Sequence, residues 1–413
     1  MDSPDETRTL TADASSTGYP LAGLKVLDFS RVLSGPFAGR MLSDLGADVV
    51  KVEPPDGDIT RMWGKVLGGV PGYYHQQNAG KRDISIDLRA EGARELVFEL
   101  VRRADVLIEN YRPDVMPRLG LGYEALSKIN PRLVMLSISG FGHGGPESHR
   151  PAYAPIVHAE VGLMERASRR TGGQRHDLPL SVADTNASLH GLVGLLSALY
   201  MRERTGVGQH VDIAMVDATV VTDDQLQYDL EGSGNSAALP NDTWDTGAGP
   251  ILVSADFRFV WRQLTTKVGL PEPDTANADL ETKIALRREA VGAFLAGLST
   301  WAEVEAVFDK MNIAWGEVRH ASAVREQPTL KHRGSIADID DRAGGVRPTG
   351  QSPYRFSQAR SGVRGGAPHR GEHNAEVLGE WLGLTPAQVE SLETIGVLTC
   401  DAETLGKAAA TAT

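Results

Sequence analysis

Leu24-Lys25-Val26-Leu27-Asp28-Phe29, then Gly35-Pro36-Phe37-Ala38-Gly39-Arg40-Met41-Leu42-Ser43-Asp44-Leu45-Gly46, then Ala47-Asp48-Val49-Val50-Lys51-Val52-Glu53-Pro54-Pro55-Asp56-Gly57-Asp58, is the stretch that decides the fold. The first run is short and apolar, as a buried strand is. The second reads as a helix ending on glycine, and the third as another strand closed by a proline and glycine turn. The same alternation continues through Asn78 to Arg89, a helix over Ala90 to Arg103, and strands at Asp105 to Ile108 and Leu133 to Ser139. Such alternation predicts an α/β fold with a Rossmann-like, mostly parallel sheet and helices on both faces. Ligands then collect at the carboxyl ends of the strands.

Downstream, Leu180-Ser181-Val182-Ala183-Asp184-Thr185-Asn186-Ala187-Ser188 opens another helix. Leu189, Leu192, Val193, Leu196, Leu199 and Tyr200 recur at helical spacing and predict one buried face. Arg202-Glu203-Arg204-Thr205-Gly206 supplies the basic residues and glycine of a helix end. An aspartate in the first turn accepts unpaired backbone N–H groups and feels the positive end of the helix dipole, so Asp184 is expected to be held ionised. From this segment it reads as an N-cap, and only residues outside the helix can decide for a carboxylate nucleophile able to carry an acyl group.

The 413 residues are 41% hydrophobic and 23% charged, ordinary for a globular enzyme of two domains. Residues 1–19 read as a disordered tail, 20–230 as the first part of a large α/β domain, 231–325 as a small domain with a linker, and 326–413 as a return to the large domain plus a C-terminal tail. Gly232 to Pro250 is dense in turn formers and reads as linker or mobile loop. A net charge of −12 argues against a nucleic-acid partner, because phosphate binding needs a basic face. No segment is apolar enough to span a bilayer, and the single cysteine, Cys400, suits a cytoplasmic setting.

No glycine-rich dinucleotide fingerprint follows the first strand, and neither a P-loop nor a His-Glu-x-x-His pair occurs, so dehydrogenase, NTPase and zinc-protease readings lack their motifs. His143 and His190 read as structural rather than metal-binding, and no metal is expected.

Taken in order, and joined to the Asp184 helix with its Thr205-Gly206-Val207-Gly208-Gln209 exit, these motifs resemble the family III CoA-transferases, the CaiB/BaiF family. The resemblance runs from about Leu21 to Leu230. It returns between Val324 and Val397, where Pro368-His369-Arg370-Gly371-Glu372-His373-Asn374 is similar to the family's closing motif. It implies a large α/β domain, a small middle domain and an interlocked homodimer. It also implies a CoA-transferase that moves coenzyme A between an acyl-CoA and a carboxylic acid through an aspartyl-CoA thioester on Asp184. By position in the family's motifs, Lys81, Arg82, Arg89, Asn110, Tyr111, Arg112 and Arg118 are the implied coenzyme A contacts. Leu33, Ser34 and Tyr153 are implied to line the adenine or pantetheine path.

The chain departs from the family at three places. Ala154 and Tyr153 stand where the racemase branch carries an acid and a histidine, which counts against an acyl-CoA racemase or isomerase. Pro54 occupies a place that is often arginine. The glycine run that closes over the intermediate in some transferases is missing; Gly247-Ala248-Gly249 is the nearest candidate, and an open site would suit a non-catalytic acyl-CoA-binding protein. Gly140 to Pro146 is a candidate source of oxyanion donors.

Overall fold

The computed structural model describes residues 18–233, 241–274, 276 and 278–401, and most of the N-terminal tail and the alanine-rich end read from the sequence lie outside them. Gly18 and Tyr19, counted with the tail, are held: Gly18 O accepts the Arg360 N–H at 2.6 Å, and the Arg364 guanidinium lies over the Tyr19 ring. The chain forms two units, one comprising the residues up to Asp223 and again from His332, the other Asp224–Lys331.

The larger unit begins β1 (Lys25–Asp28), α1 (Ser34–Asp44), β2 (Asp48–Glu53), β3 (Val66–Leu67), β4 (Val70–Pro71), α2 (Gly72–Asn78), β5 (Arg82–Ile86) and α3 (Ala93–Arg103). It continues with β6 (Val106–Glu109), α4 (Val115–Arg118), α5 (Tyr123–Ile129), β7 (Val134–Ser139), α6 (Ala154–Glu160), α7 (Leu163–Thr171), α8 (Val182–Thr205), β8 (His210–Ala214) and α9 (Met215–Thr222). The smaller unit holds α10 (Leu226–Leu230), β9 (Asn241–Thr246), β10 (Gly249–Ser254), α11 (Phe257–Gln263), α12 (Leu280–Ala296), α13 (Trp301–Met311) and β11 (Trp315–Glu317). After α14 (Pro328–Arg333) come β12 (Ile336–Asp340), β13 (Val346–Gly350), α15 (Asn374–Leu382), α16 (Pro386–Thr394) and β14 (Leu398–Thr399).

Seven strands form the main sheet in the order β14-β5-β2-β1-β6-β7-β8; all are parallel except β14, which pairs antiparallel with β5. The strand order reverses between β1 and β6. Loops leaving those two strands diverge to opposite faces, which opens a crevice at their carboxyl ends. Alternate strand residues face the two sides: Leu27, Val50, Ile84 and Leu107 pack against α3 and α15, while Val26, Val49, Val106 and Leu136 pack against α1 and α8.

Helix α8 corrects one sequence expectation. Its sheet-facing side is Ala183, Ala187, Gly191, Leu195 and Ala198, joined by Leu192 and Leu199 from the predicted set, whereas Leu189, Val193, Leu196 and Tyr200 point outward. Small residues bring the helix axis close to β7 and β8, where the missing Gly191 side chain leaves room for Leu136. The larger residues then lie beyond that narrow contact.

In the smaller unit, β11-β10-β9 is an antiparallel sheet over a core that includes Ile251, Trp261, Val291 and Phe308. The stretch expected as linker is, from Asn241 onward, strand β9. Gly247 and Ala248 make its hairpin turn, with the Thr246 hydroxyl accepting the Ala248 and Gly249 N–H groups at 3.2 and 3.1 Å. Polar residues on the outward positions of β9 concealed it.

The return from α8 to β8 passes through Gly208, where a Cβ would stand 2.0 Å from the Leu133 carbonyl oxygen. Gly208→Ala is expected to destabilise the larger unit by about 3 kcal/mol through overpacking against backbone, read as a lower urea midpoint with unchanged slope.

Candidate active site

A cleft of about 420 Å³ opens at the β1/β6 crevice. Its walls come from the loop after β1 (Arg31, Val32, Ser34), the loop after β6 (Asn110, Tyr111, Arg112), the end of β7 (Gly140) and the approach to α6 (Ala152, Tyr153), with Asp184 of α8 reaching in. Of the residues named from the sequence, this gathers Ser34, Asn110, Tyr111, Arg112, Tyr153 and Asp184. Asn110 ties two walls together: its amide accepts the Arg31 N–H at 2.8 Å and donates to Arg31 O at 2.7 Å and to Ser34 Oγ at 3.1 Å.

The other named residues are placed elsewhere. Lys81 is wholly buried, its ammonium donating to Asp28 Oδ2 at 2.7 Å, Pro36 O at 2.9 Å and Asn78 Oδ1 at 2.9 Å. Burial outweighs the Asp28 carboxylate and pulls its pKa down to about 8. Arg82 is spent on Asp48, Glu376 and Glu380. Arg89 lies exposed beside Asp87, and Arg118 lies exposed on α4 beside Asp114. Leu33 is buried at the start of α1, outside the cleft lining. Sequence reasoning passed over Arg31 and Val32, although both stand in the loop that follows the first recognised strand.

Asp184 is the third residue of α8 and does not cap it. The helix start is served instead by His158, whose Nε2 accepts the Ala183 N–H at 3.1 Å while its Nδ1 bonds Asp177 at 2.7 Å. The Asp184 carboxylate is left free for the cleft. It accepts the Ala154 N–H at 3.2 Å, and the hydroxyl and backbone N–H of Ser34 face it and favour its charge. The first residues of α1 and α6 therefore meet on it, and both helix dipoles favour its charge. Burial wins nonetheless and raises its pKa to about 6, which corrects the expectation of a readily ionised capping carboxylate. Tyr73 of α2, also unnoticed in the sequence, has its phenol raised to about 12 by burial and by the charge of Asp184.

The glycine-rich turn after β7 is partly engaged already. The Gly142 N–H donates to Ser139 Oγ and the His143 N–H to Asp212 Oδ2, both at 3.1 Å. Those two groups are already engaged, whereas the Ala154 N–H and the Ser34 hydroxyl and N–H are directed at the Asp184 carboxylate itself. Among the described residues no cluster of three His, Cys, Asp or Glu side chains is placed to hold a metal, and no helix is long and apolar enough to cross a membrane.

A buried carboxylate of raised pKa on the wall of a cleft at the sheet's switch point marks an enzyme site. The family model for CoA-transferase family III matches residues 21–374. The chain belongs to that family and is a transferase. It is 40% identical over 277 residues to an acetyl-CoA:oxalate CoA-transferase of Acetobacter aceti, covering 64% of this chain and 70% of that one. It is 32% identical over 382 residues to a succinate–glutarate CoA-transferase of Agrobacterium fabrum, covering 87% and 95%. A crystal structure of a CaiB/BaiF family protein from Brucella suis superposes with a TM-score of 0.73 at 33% identity, over 88% of this chain and all of that one.

Because the folded-state pKa of Asp184 is raised from 3.8 to about 6, its stabilising contribution is complete below pH 4 and is lost as pH rises through about 6. Asp184→Asn stays neutral throughout. It should match the wild type in urea denaturation near pH 4 and exceed it by up to about 3 kcal/mol at pH 8.

Proposed function

We propose that this transferase moves coenzyme A between an acyl-CoA and a carboxylic acid, with Asp184 as the covalent carrier. An Asp184 oxygen attacks the thioester carbonyl and the C–S bond breaks, giving a mixed anhydride and the CoA thiolate. The thiolate attacks the Asp184 carbonyl carbon and expels the donor acid as its carboxylate, leaving an aspartyl-CoA thioester. The acceptor carboxylate attacks that thioester and releases the thiolate, which then takes the acyl group from the new anhydride and restores Asp184. No proton is consumed, and thioester is exchanged for thioester, so only barriers need lowering.

The observation that carries this reading is the burial of Asp184 beside two backbone N–H donors and open to a cleft. Desolvation makes the carboxylate more basic, and the Ala154 and Ser34 donors suit the oxyanions of the tetrahedral intermediates. At the rim, Arg31 and Arg112 form no ion pair among the described residues, which leaves two guanidinium groups for the phosphates of CoA or the charge of an acid. The relatives named for oxalate, succinate and glutarate favour short carboxylic acids as substrates. Racemisation is not favoured, because Ala154 contributes only its backbone to the site.

The same reading includes a cytoplasmic homodimer. Leu189, Val193, Leu196 and Tyr200 on α8, with Leu180 and Val221 nearby in sequence, expose the apolar surface that a partner subunit would cover.

Incubation with an acyl-CoA followed by hydroxylamine should convert Asp184 to a hydroxamate, detected by peptide mass spectrometry, and Asp184→Ala should lower exchange by at least about 10³-fold. An Asp184→Ala enzyme that exchanges at the wild-type rate would falsify the covalent role. Because the nucleophile is the ionised form, kcat/KM should rise with pH and level off above an acidic limb near pH 6, set by the Asp184 pKa of about 6.

A further inference from the structure

Val32 is, among the described residues, the one β-branched side chain with its backbone in the left-handed region, at φ +68°. Such a conformation crowds Cβ against the backbone and persists only where surrounding contacts hold it. Here the contacts come from beneath. The Val32 N–H donates to Asp58 Oδ2 at 3.1 Å, and that oxygen pairs with the Lys51 ammonium at 3.2 Å. Lys51 in turn donates to Ser30 O at 2.7 Å, and Ser30 N–H donates to Asp28 Oδ1 at 3.0 Å. Asp58 and Lys51 are both buried, so the clamp is shielded from water. Two residues beyond Val32 stands Ser34, whose hydroxyl and N–H face the Asp184 carboxylate.

We propose that Asp58 is a positioning residue: by accepting the Val32 N–H it holds the loop after β1 in the left-handed turn that presents Ser34 to Asp184. Its catalytic consequence rests on Asp184 being the acyl carrier, but its structural consequence does not. Without the clamp, Val32 relaxes to negative φ, the peptide turns, and the Ser34 hydroxyl and N–H swing away from the carboxylate. The Asp184 carboxylate then loses donors that favour its charge.

Asp58 also caps the short 3₁₀ turn at Ile59–Met62, its Oδ1 accepting the Thr60 N–H at 3.0 Å. Asp58→Asn separates the two roles. Its remaining oxygen keeps the cap, while its amide NH₂ opposes the Val32 N–H. Glycine adopts positive φ at no steric cost, so adding Val32→Gly restores the turn without the clamp.

The test uses the full-length enzyme labelled with ¹³C at aspartate carboxyls, the Asp184 resonance being assigned by its absence from Asp184→Asn. In Asp58→Asn the Asp184 titration should move up by about one pH unit, the acidic limb of exchange should move with it, and kcat should fall about tenfold with less change in KM for the acyl-CoA. In Asp58→Asn with Val32→Gly, titration and limb should return toward the wild type. An unmoved Asp184 titration in Asp58→Asn overturns the proposal, as does a shift that Val32→Gly leaves intact. A titration shift reversed by glycine in an enzyme whose exchange survives Asp184→Ala upholds the clamp and refutes only the covalent role.

Discussion

Everything in the site depends on a single carboxylate being desolvated between helix ends that would rather see it charged. Asp184 on α8 is met by the first residues of α1 and α6, and their N–H groups and dipoles lower its pKa. Burial in the cleft wall raises it by more. The result is an anion that water does not hold and that N–H donors hold in place. A capping aspartate differs in one respect: its charge is consumed by its own helix. In this chain His158 performs that service for α8, and the carboxylate is released to the cleft.

Such an arrangement requires the loop after β1 to stand still, and the means lie under the sheet's carboxyl edge. Asp28, Lys51, Asp58 and Lys81 are buried charges that pair with one another and spend their remaining hydrogen bonds on loop carbonyls and N–H groups. A charge out of water must be paired and hydrogen-bonded, or the fold loses several kcal/mol. The pairing therefore fixes the backbone as firmly as it fixes the side chains. The same requirement explains why Lys81 and Arg82 do not reach the cleft, since their partners lie in the neighbouring strands and in α15.

Much of the framework was legible in order along the chain. The first helix, the strands from β1 to β7 in the main sheet, and α3 lie where periodicity and turn residues placed them, because each is a local pattern. Strand β9 was hidden by its polar outward face, and α8 presented two apolar stripes, of which the bulkier one proved to be the outer. For the site, Ser34, Asn110 to Arg112, Tyr153 and Asp184 converge on one cleft, but the basic residues divide. Charge in a sequence does not say whether a partner waits across a strand, and Arg31 reached the cleft while Lys81 went beneath it.

By itself, then, the amino-acid order determined an alternating α/β chain and a carboxylate at the start of a helix, since both follow from spacing along a few turns of backbone. Only the tertiary structure decided that burial lifts the pKa of this carboxylate to about 6, that Ala154 binds it and Ser34 faces it, and that Val32 is forced into a left-handed turn above Asp58. Those are properties of groups far apart in the chain. Their desolvation and hydrogen bonding exist only once β1, β6 and α8 are packed together.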